Sequence, residues 1–206
     1  MNSLCVLFKV IRKVVSNSYS VYSYVKTLIL LLGNDVKFKS FHTSGVPYVM
    51  VARGGKMLIG GNFSMNNGIK SNPIGCYERC TFFVDRNAKF TIGEHVGISQ
   101  TALICHKSIV IGNDVKIGGG VCIYDTDFHS LDPTLRKSSN DIKNRIEKPV
   151  VIHDNVFIGA HSLILKGVTI GENSIIGAGS VVTKSVPKSQ IWAGSPAHFI
   201  RNLKKN

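Results

Sequence analysis

The chain has 206 residues, 44% hydrophobic and only 18% charged, so it can bury a core and fits one domain with a small appendage rather than a disordered tail. Twenty-five Lys and Arg against twelve Asp and Glu leave +13, a bias towards polyanions, yet no nucleic-acid motif accompanies it and no aromatics interleave with the cations as a base-stacking platform requires. Five scattered cysteines (Cys5, Cys76, Cys80, Cys105, Cys122) argue against a disulfide scaffold or a four-ligand zinc site and fit a reducing compartment.

Residues 4 to 32 read as a helix. Leu4, Leu7, Ile11, Val14, Val21, Val25, Leu28 and Leu32 recur at three- and four-residue steps, with Lys9, Arg12, Lys13, Asn17 and Lys26 between them. The unbroken apolar stretch from Leu28 to Leu32 falls far short of the roughly 20 residues that span a bilayer. A signal peptide is also a poor match, because its apolar core should lie nearer the start and lead to a small-residue cleavage site. Two placements of the stripe stay open: against the chain itself or a neighbouring subunit, or on an anionic membrane surface with the lysines at the headgroups.

A six-residue repeat dominates the rest. From residue 152 an aliphatic returns every six positions: Ile152, Ile158, Ile164, Ile170, Ile176, Val182. An earlier array reads Ile92, Ile98, Ile104 and, after a one-residue slip, Ile111, Ile117, Ile123. Helical periodicity cannot produce a strict six. One short strand plus one tight turn can, and three such units close a triangular coil of a parallel β-helix with the aliphatics inside and Gly or Asn at the corners. The expected fold class is therefore all-β. A helical segment occupies 1–34, the β-helix 35–190 with a loop protruding at about 130–148, and a short tail 191–206. The stretch from Ile69 to Phe90 breaks the rhythm and is expected to add an irregular coil.

Phe157-Ile158-Gly159-Ala160, Ile170-Gly171-Glu172-Asn173-Ser174, Ile176 to Lys184 and Ala193-Gly194-Ser195-Pro196-Ala197 resemble the hexapeptide-repeat acyltransferases. Asp125-Thr126-Asp127-Phe128-His129 with Asp132-Pro133 narrows the resemblance to the sugar and polysaccharide O-acetyltransferases, a branch that includes the maltose, galactoside and colanic-acid enzymes. The likeness covers roughly residues 57 to 201. It implies a left-handed parallel β-helix, a homotrimer, and acetyl-CoA meeting its acceptor in a cleft between two subunits.

Acetyl transfer from a thioester to a hydroxyl needs a base for the hydroxyl proton, and histidine suits that near neutral pH. His129 stands where the six-residue rhythm stops, since the next in-register aliphatic after Ile123 is Ile152. It is the candidate general base, with capping of the loop as the alternative. If residues 125 to 129 are extended, Asp125, Asp127 and His129 share one face. Asp127 is then the nearer carboxylate to orient the imidazole, unless it bonds backbone amides. Asp125 is a candidate for the acceptor side. So is Ser99, in the rung Ile98-Ser99-Gln100-Thr101 that corresponds to an acceptor-holding asparagine in galactoside-type relatives. By resemblance the Ala160 amide faces the developing oxyanion, Ala178 contacts the pantetheine arm, and Thr183, Lys184 and Arg201 flank the cofactor and its phosphates. Phe157 stands where maltose-type relatives tend to carry Trp, and His198 where galactoside-type relatives tend to carry a second basic residue. No metal is expected, because the other histidines show no metal-ligand spacing.

Arg136, Lys137, Lys143, Arg145 and Lys148 in the loop suit an anionic acceptor. The expectation is a cytoplasmic acetyl-CoA-dependent acetyltransferase acting on a sugar or a surface-polysaccharide precursor, with no nucleic-acid partner. Residues 4–32 are the candidate contact with the inner membrane face. The alternatives are N-acetylation of a nucleotide-linked amino sugar, a non-catalytic β-helix scaffold, and a zinc hydratase.

Overall fold

The computed structural model describes residues 3–76 and 78–203. Its body is the parallel β-helix expected from the repeat. Successive strands fall on three faces in turn, and each pairs in parallel with the strand one coil away. The first face runs from Lys37–Phe38 to Thr169–Ile170, the second from Phe41–Ser44 to Ile175–Ile176, and the third from Tyr48–Val51 to Val181–Val182. Two further strands, Gln190–Gly194 and the antiparallel Ala197–Asn202, continue the second face at the C-terminal end.

The register explains the six. Ile92, Ile111, Ile152 and Ile170 stack on the first face, and Ile98, Ile117, Ile158 and Ile176 on the second. Leu103, Ile123, Ile164 and Val182 stack on the third, and all twelve are buried. Ile104 is thus a correction to the sequence reading. The step from Ile98 to the next interior residue is one shorter than six, so Leu103 points inward and Ile104 outward beside Tyr124. The irregular coil expected over Ile69 to Phe90 is also smaller than anticipated, because Thr81–Val84 and Lys89–Ile92 are regular strands. Between Phe63–Asn66 and Thr81–Val84, the described residues 67–76 and 78–80 lie outside the ladder.

The corners need left-handed backbone. Between the first and second faces His95, Asp114, Asn155 and Asn173 all have positive φ, one in each successive coil. Glycine is required between the second and third faces for a different reason. A Cβ on Gly118 would lie 2.6 Å from the Ala160 amide nitrogen, and one on Gly159 would lie 2.5 Å from that of Ala178.

The N-terminal helix, α1 (Ser3–Gly33), docks only by its C-terminal part. Ser23, Thr27 and Leu31 are fully buried, and the Tyr24 ring stacks on Phe41 at 4.9 Å between centroids. Asn34 fastens the end of the helix. Its amide donates to the Leu30 carbonyl at 2.9 Å, and its Oδ1 accepts from the Val51 amide at 2.9 Å. The stripe meets the chain's own body only near its C-terminal end, at Leu28, while Leu7, Ile11, Val14, Val21, Val25 and Leu32 are exposed.

Candidate active site

Between Tyr124 and Val150 the chain leaves the coil and returns, and its neck is sewn shut. The Lys148 amide donates to Asp125 O at 2.9 Å and the Asp127 amide to Ile146 O at 3.1 Å. Arg145 then ties the returning limb to the body, donating to Asp85 at 2.9 Å and to Glu147 at 2.6 Å. Burial opposes ionisation of Asp85, but the Arg86 amide, Arg145 and His106 together outweigh it and hold the carboxyl below its usual range. The excursion is therefore a fixed platform at the corner between the third and first faces.

His129 sits on that platform with its side chain 61% exposed. Its Nδ1 lies 2.6 Å from Asp141 Oδ2, and the second carboxylate oxygen of Asp141 accepts from the Ser130 amide at 2.8 Å. Those two donors, His129 first, keep the Asp141 carboxyl below the usual carboxylate range. With Nδ1 committed to the carboxylate, Nε2 is the nitrogen left facing solvent with a free lone pair. Phe128, immediately before it, has φ +64 and lays its ring edge-on against Tyr124 and His106. A bulky side chain in left-handed backbone costs on the order of 1–3 kcal/mol and is held here by packing.

The shared face expected of residues 125 to 129 does not form. The His129 amide turns back to the Asp127 carbonyl at 2.7 Å, so the segment is bent rather than extended. Asp125 is fully buried and its two oxygens accept from the amides of His106, Lys107 and Ser108, each at 2.7 Å. It closes the turn of the preceding coil instead of facing outward. Asp127 pairs with Lys166 at 2.5 Å, and its other oxygen is buried with no partner among the described residues. Asp141 is the carboxylate that the sequence reading missed.

The remaining candidates lie elsewhere on the coil. Ala160 and Ala178 share the corner between the second and third faces, one coil apart, and their amides donate to nothing among the described residues. Together with the bare glycines before them they leave a smooth backbone track with free donors, which suits an extended amide-bearing arm such as pantetheine. Thr183 and Lys184 occupy the next corner, two coils beyond His129, and both are exposed. Arg201 lies exposed on the last strand.

Ser99 borders a cleft of about 280 Å³ on the second face together with Asn66, Lys116 and Phe157. Its hydroxyl accepts from the side-chain amides of Asn66 at 3.1 Å and Asn72 at 3.0 Å, leaving the hydroxyl proton free to donate. These asparagines were also missed: strand register sets Asn66 beside Ser99, and Asn72 reaches it from the irregular segment that follows. Two of the five loop cations are spent on structure. Arg145 is paired as above, and Arg136 donates to the Ser130 carbonyl at 2.9 Å. No cluster of three or more metal-ligating side chains occurs among the described residues.

Residues 149–184 match the bacterial transferase hexapeptide family of six repeats. The chain is 36% identical over 131 residues to the galactoside O-acetyltransferase of Lactococcus lactis, covering 62% of this chain and 60% of that protein. A hexapeptide-repeat acetyltransferase of Vibrio cholerae shares 38% identity at TM-score 0.52, over 56% of this chain and 64% of that one. The chain thus spans less than two thirds of the length of these relatives. AntD, an N-acyltransferase from Bacillus cereus solved with dTDP and 3-hydroxybutyryl-CoA, aligns over 84% of this chain and 85% of its own at 25% identity and TM-score 0.63. The family match lies within the ladder of stacked aliphatics, and over that part the chain resembles the hexapeptide-repeat transferases.

Proposed function

We propose that the protein transfers an acetyl group from acetyl-CoA to a hydroxyl of a sugar or surface-polysaccharide precursor, directly and with His129 as general base. The observation that carries this reading is the His129–Asp141 pair, which ties one imidazole nitrogen at 2.6 Å in a side chain that is 61% exposed. Nε2 takes the proton of the acceptor hydroxyl as it attacks, and Asp141 steadies the imidazolium that forms. The Ala160 amide offers a donor to the thioester oxygen as it gathers charge. Ala178 holds the pantetheine arm, while Thr183, Lys184 and Arg201 face the nucleotide end. Ser99, Asn66 and Asn72 offer hydroxyl and amide groups to a polyol.

His129 and Ala160 lie at opposite edges of the third face of one chain. That separation supports a site completed by a neighbouring copy, as the clefts of a homotrimer would do. Transfer to the amine of a nucleotide-linked amino sugar is the second reading, favoured by the likeness to AntD along most of the chain. The same base serves both, since an attacking amine also loses a proton.

The test is thiol release from acetyl-CoA against sugars, glycan fragments and nucleotide-linked amino sugars, with product mass measured. We expect one acceptor to gain a single acetyl group and the rate to fall by roughly 10² or more in His129→Ala. A rate unchanged by that substitution would overturn the assignment of the base.

A further inference from the structure

Leu28, Leu30 and Leu31 join the core, but along most of the N-terminal helix the apolar side is exposed. Ser23, Thr27 and Leu31 mark the inward side, each at 0% exposure. The opposite side carries Leu7, Ile11, Val14, Val25, Ile29 and Leu32, all between 47% and 63% exposed. The stripe runs from Leu7 to Val15, is interrupted by the polar Ser16-Asn17-Ser18, and resumes at Val21. In the first three turns Val6, Phe8 and Val10 widen it to an arc of roughly 200° at 3.6 residues per turn.

The cations occupy the remaining arc. Lys9, Arg12 and Lys13 lie on the same side of the helix as Ser23 and Thr27, and Lys26 stands at the edge of the stripe. From residue 3 to residue 34 there is no acid. No helix among the described residues is long and apolar enough to cross a membrane.

A second copy of this helix matches the surface poorly. A seam between helices is a narrow stripe flanked by charges of both signs that pair across it. Here the apolar arc is far wider, and no acid on the helix can answer the cations. A surface of anionic headgroups over acyl chains matches both the wide apolar arc and the positive charge. We propose that α1 lies in the plane of an anionic phospholipid surface with its apolar arc in the acyl boundary. The cations then reach the phosphates, and the β-helix rides on the water side. The 31 residues of the helix would give about 46 Å of contact at about 1.5 Å per residue.

The experiment is flotation of the full chain with vesicles of phosphatidylcholine alone or mixed with phosphatidylglycerol, alongside light scattering. The chain should float with the mixed vesicles and at least tenfold less with phosphatidylcholine, and added salt should weaken binding. The double variant Ile11→Glu, Val14→Glu should stay behind, and Arg12→Gln with Lys13→Gln should bind several-fold less. All four positions lie outside the β-helix, so its melting should not move. A chain that ignores the mixed vesicles, or variants that float as well as the native protein, would overturn the proposal. So would a change of assembly mass in the Ile11→Glu, Val14→Glu protein without vesicle binding, which would make the stripe an interface between copies. Partition does not depend on acyl transfer, so either outcome leaves the catalytic reading standing.

Discussion

His129 and Asp125 show how surroundings assign roles to polar residues only four positions apart. Asp125 is enclosed, and an enclosed carboxylate persists only with its oxygens satisfied, here by three backbone amides. His129 is open, and a single carboxylate decides which of its nitrogens can act. With His129 as the proposed base, Asp141 takes the part of a positioning residue, and Asp127, committed to Lys166, is the comparison. Asp141→Asn should lower kcat by about tenfold to a hundredfold with little change in KM for the acyl donor, since only the orientation of the base is lost. Asp127→Asn should have the smaller effect. The reverse order in steady-state kinetics would return the orienting role to Asp127. Nothing in the spacing could have announced Asp141. Its partner is twelve positions away across a bent loop, and an alternation argument places only residues of an extended strand.

At the scale of the element, the interior ladder was readable because each strand buries one aliphatic per six residues and a slip would expose them all. The run from Ile152 to Val182 has no insertion and could be read without error. Ile104 misled because a single shortened corner turns the following strand over. The excursion at 126–149 was visible as a gap in the ladder, but what holds it was not, since Asp85 and Arg145 are 60 positions apart. Those anchors make its rigidity testable. Arg145→Met should speed proteolytic cleavage within residues 130–145 and lower activity while the melting of the β-helix stays put, as limited proteolysis beside calorimetry would show. Acid should act in the same way. Asp85, Asp132 and Asp141 all have folded-state carboxyls held below their ordinary range by hydrogen-bond donors. The stability they lend is therefore fully present above the ordinary range, near pH 4, and is lost as pH falls through the depressed values. Amide exchange at Ser130 should stay slow from pH 7 to about 5, once corrected for intrinsic rates, and lose protection below about pH 4.

For the whole molecule, the decisive feature is that the candidate groups do not meet within one chain. The imidazole lies at one corner of the triangular coil, and the track of free amides at Ala160 and Ala178 lies at another. A rigid ladder of parallel strands offers no hinge that could bring two corners together. If the reaction needs both, the second set must come from another copy, and cyclic symmetry would then repeat the composite site at every interface. Mixing two inactive variants tests this. Chains carrying His129→Ala keep the amide track, and chains carrying Ala160→Trp keep the base while a bulky ring fills the corner. Each alone should be inactive. Random assembly of equal amounts, by refolding together, should restore about one quarter of native activity, because a quarter of composite sites would draw a native base from one variant and a native track from the other. A mixture as inactive as its components would confine each site to a single chain, and the excursion carrying His129 would then have to reach across the third face.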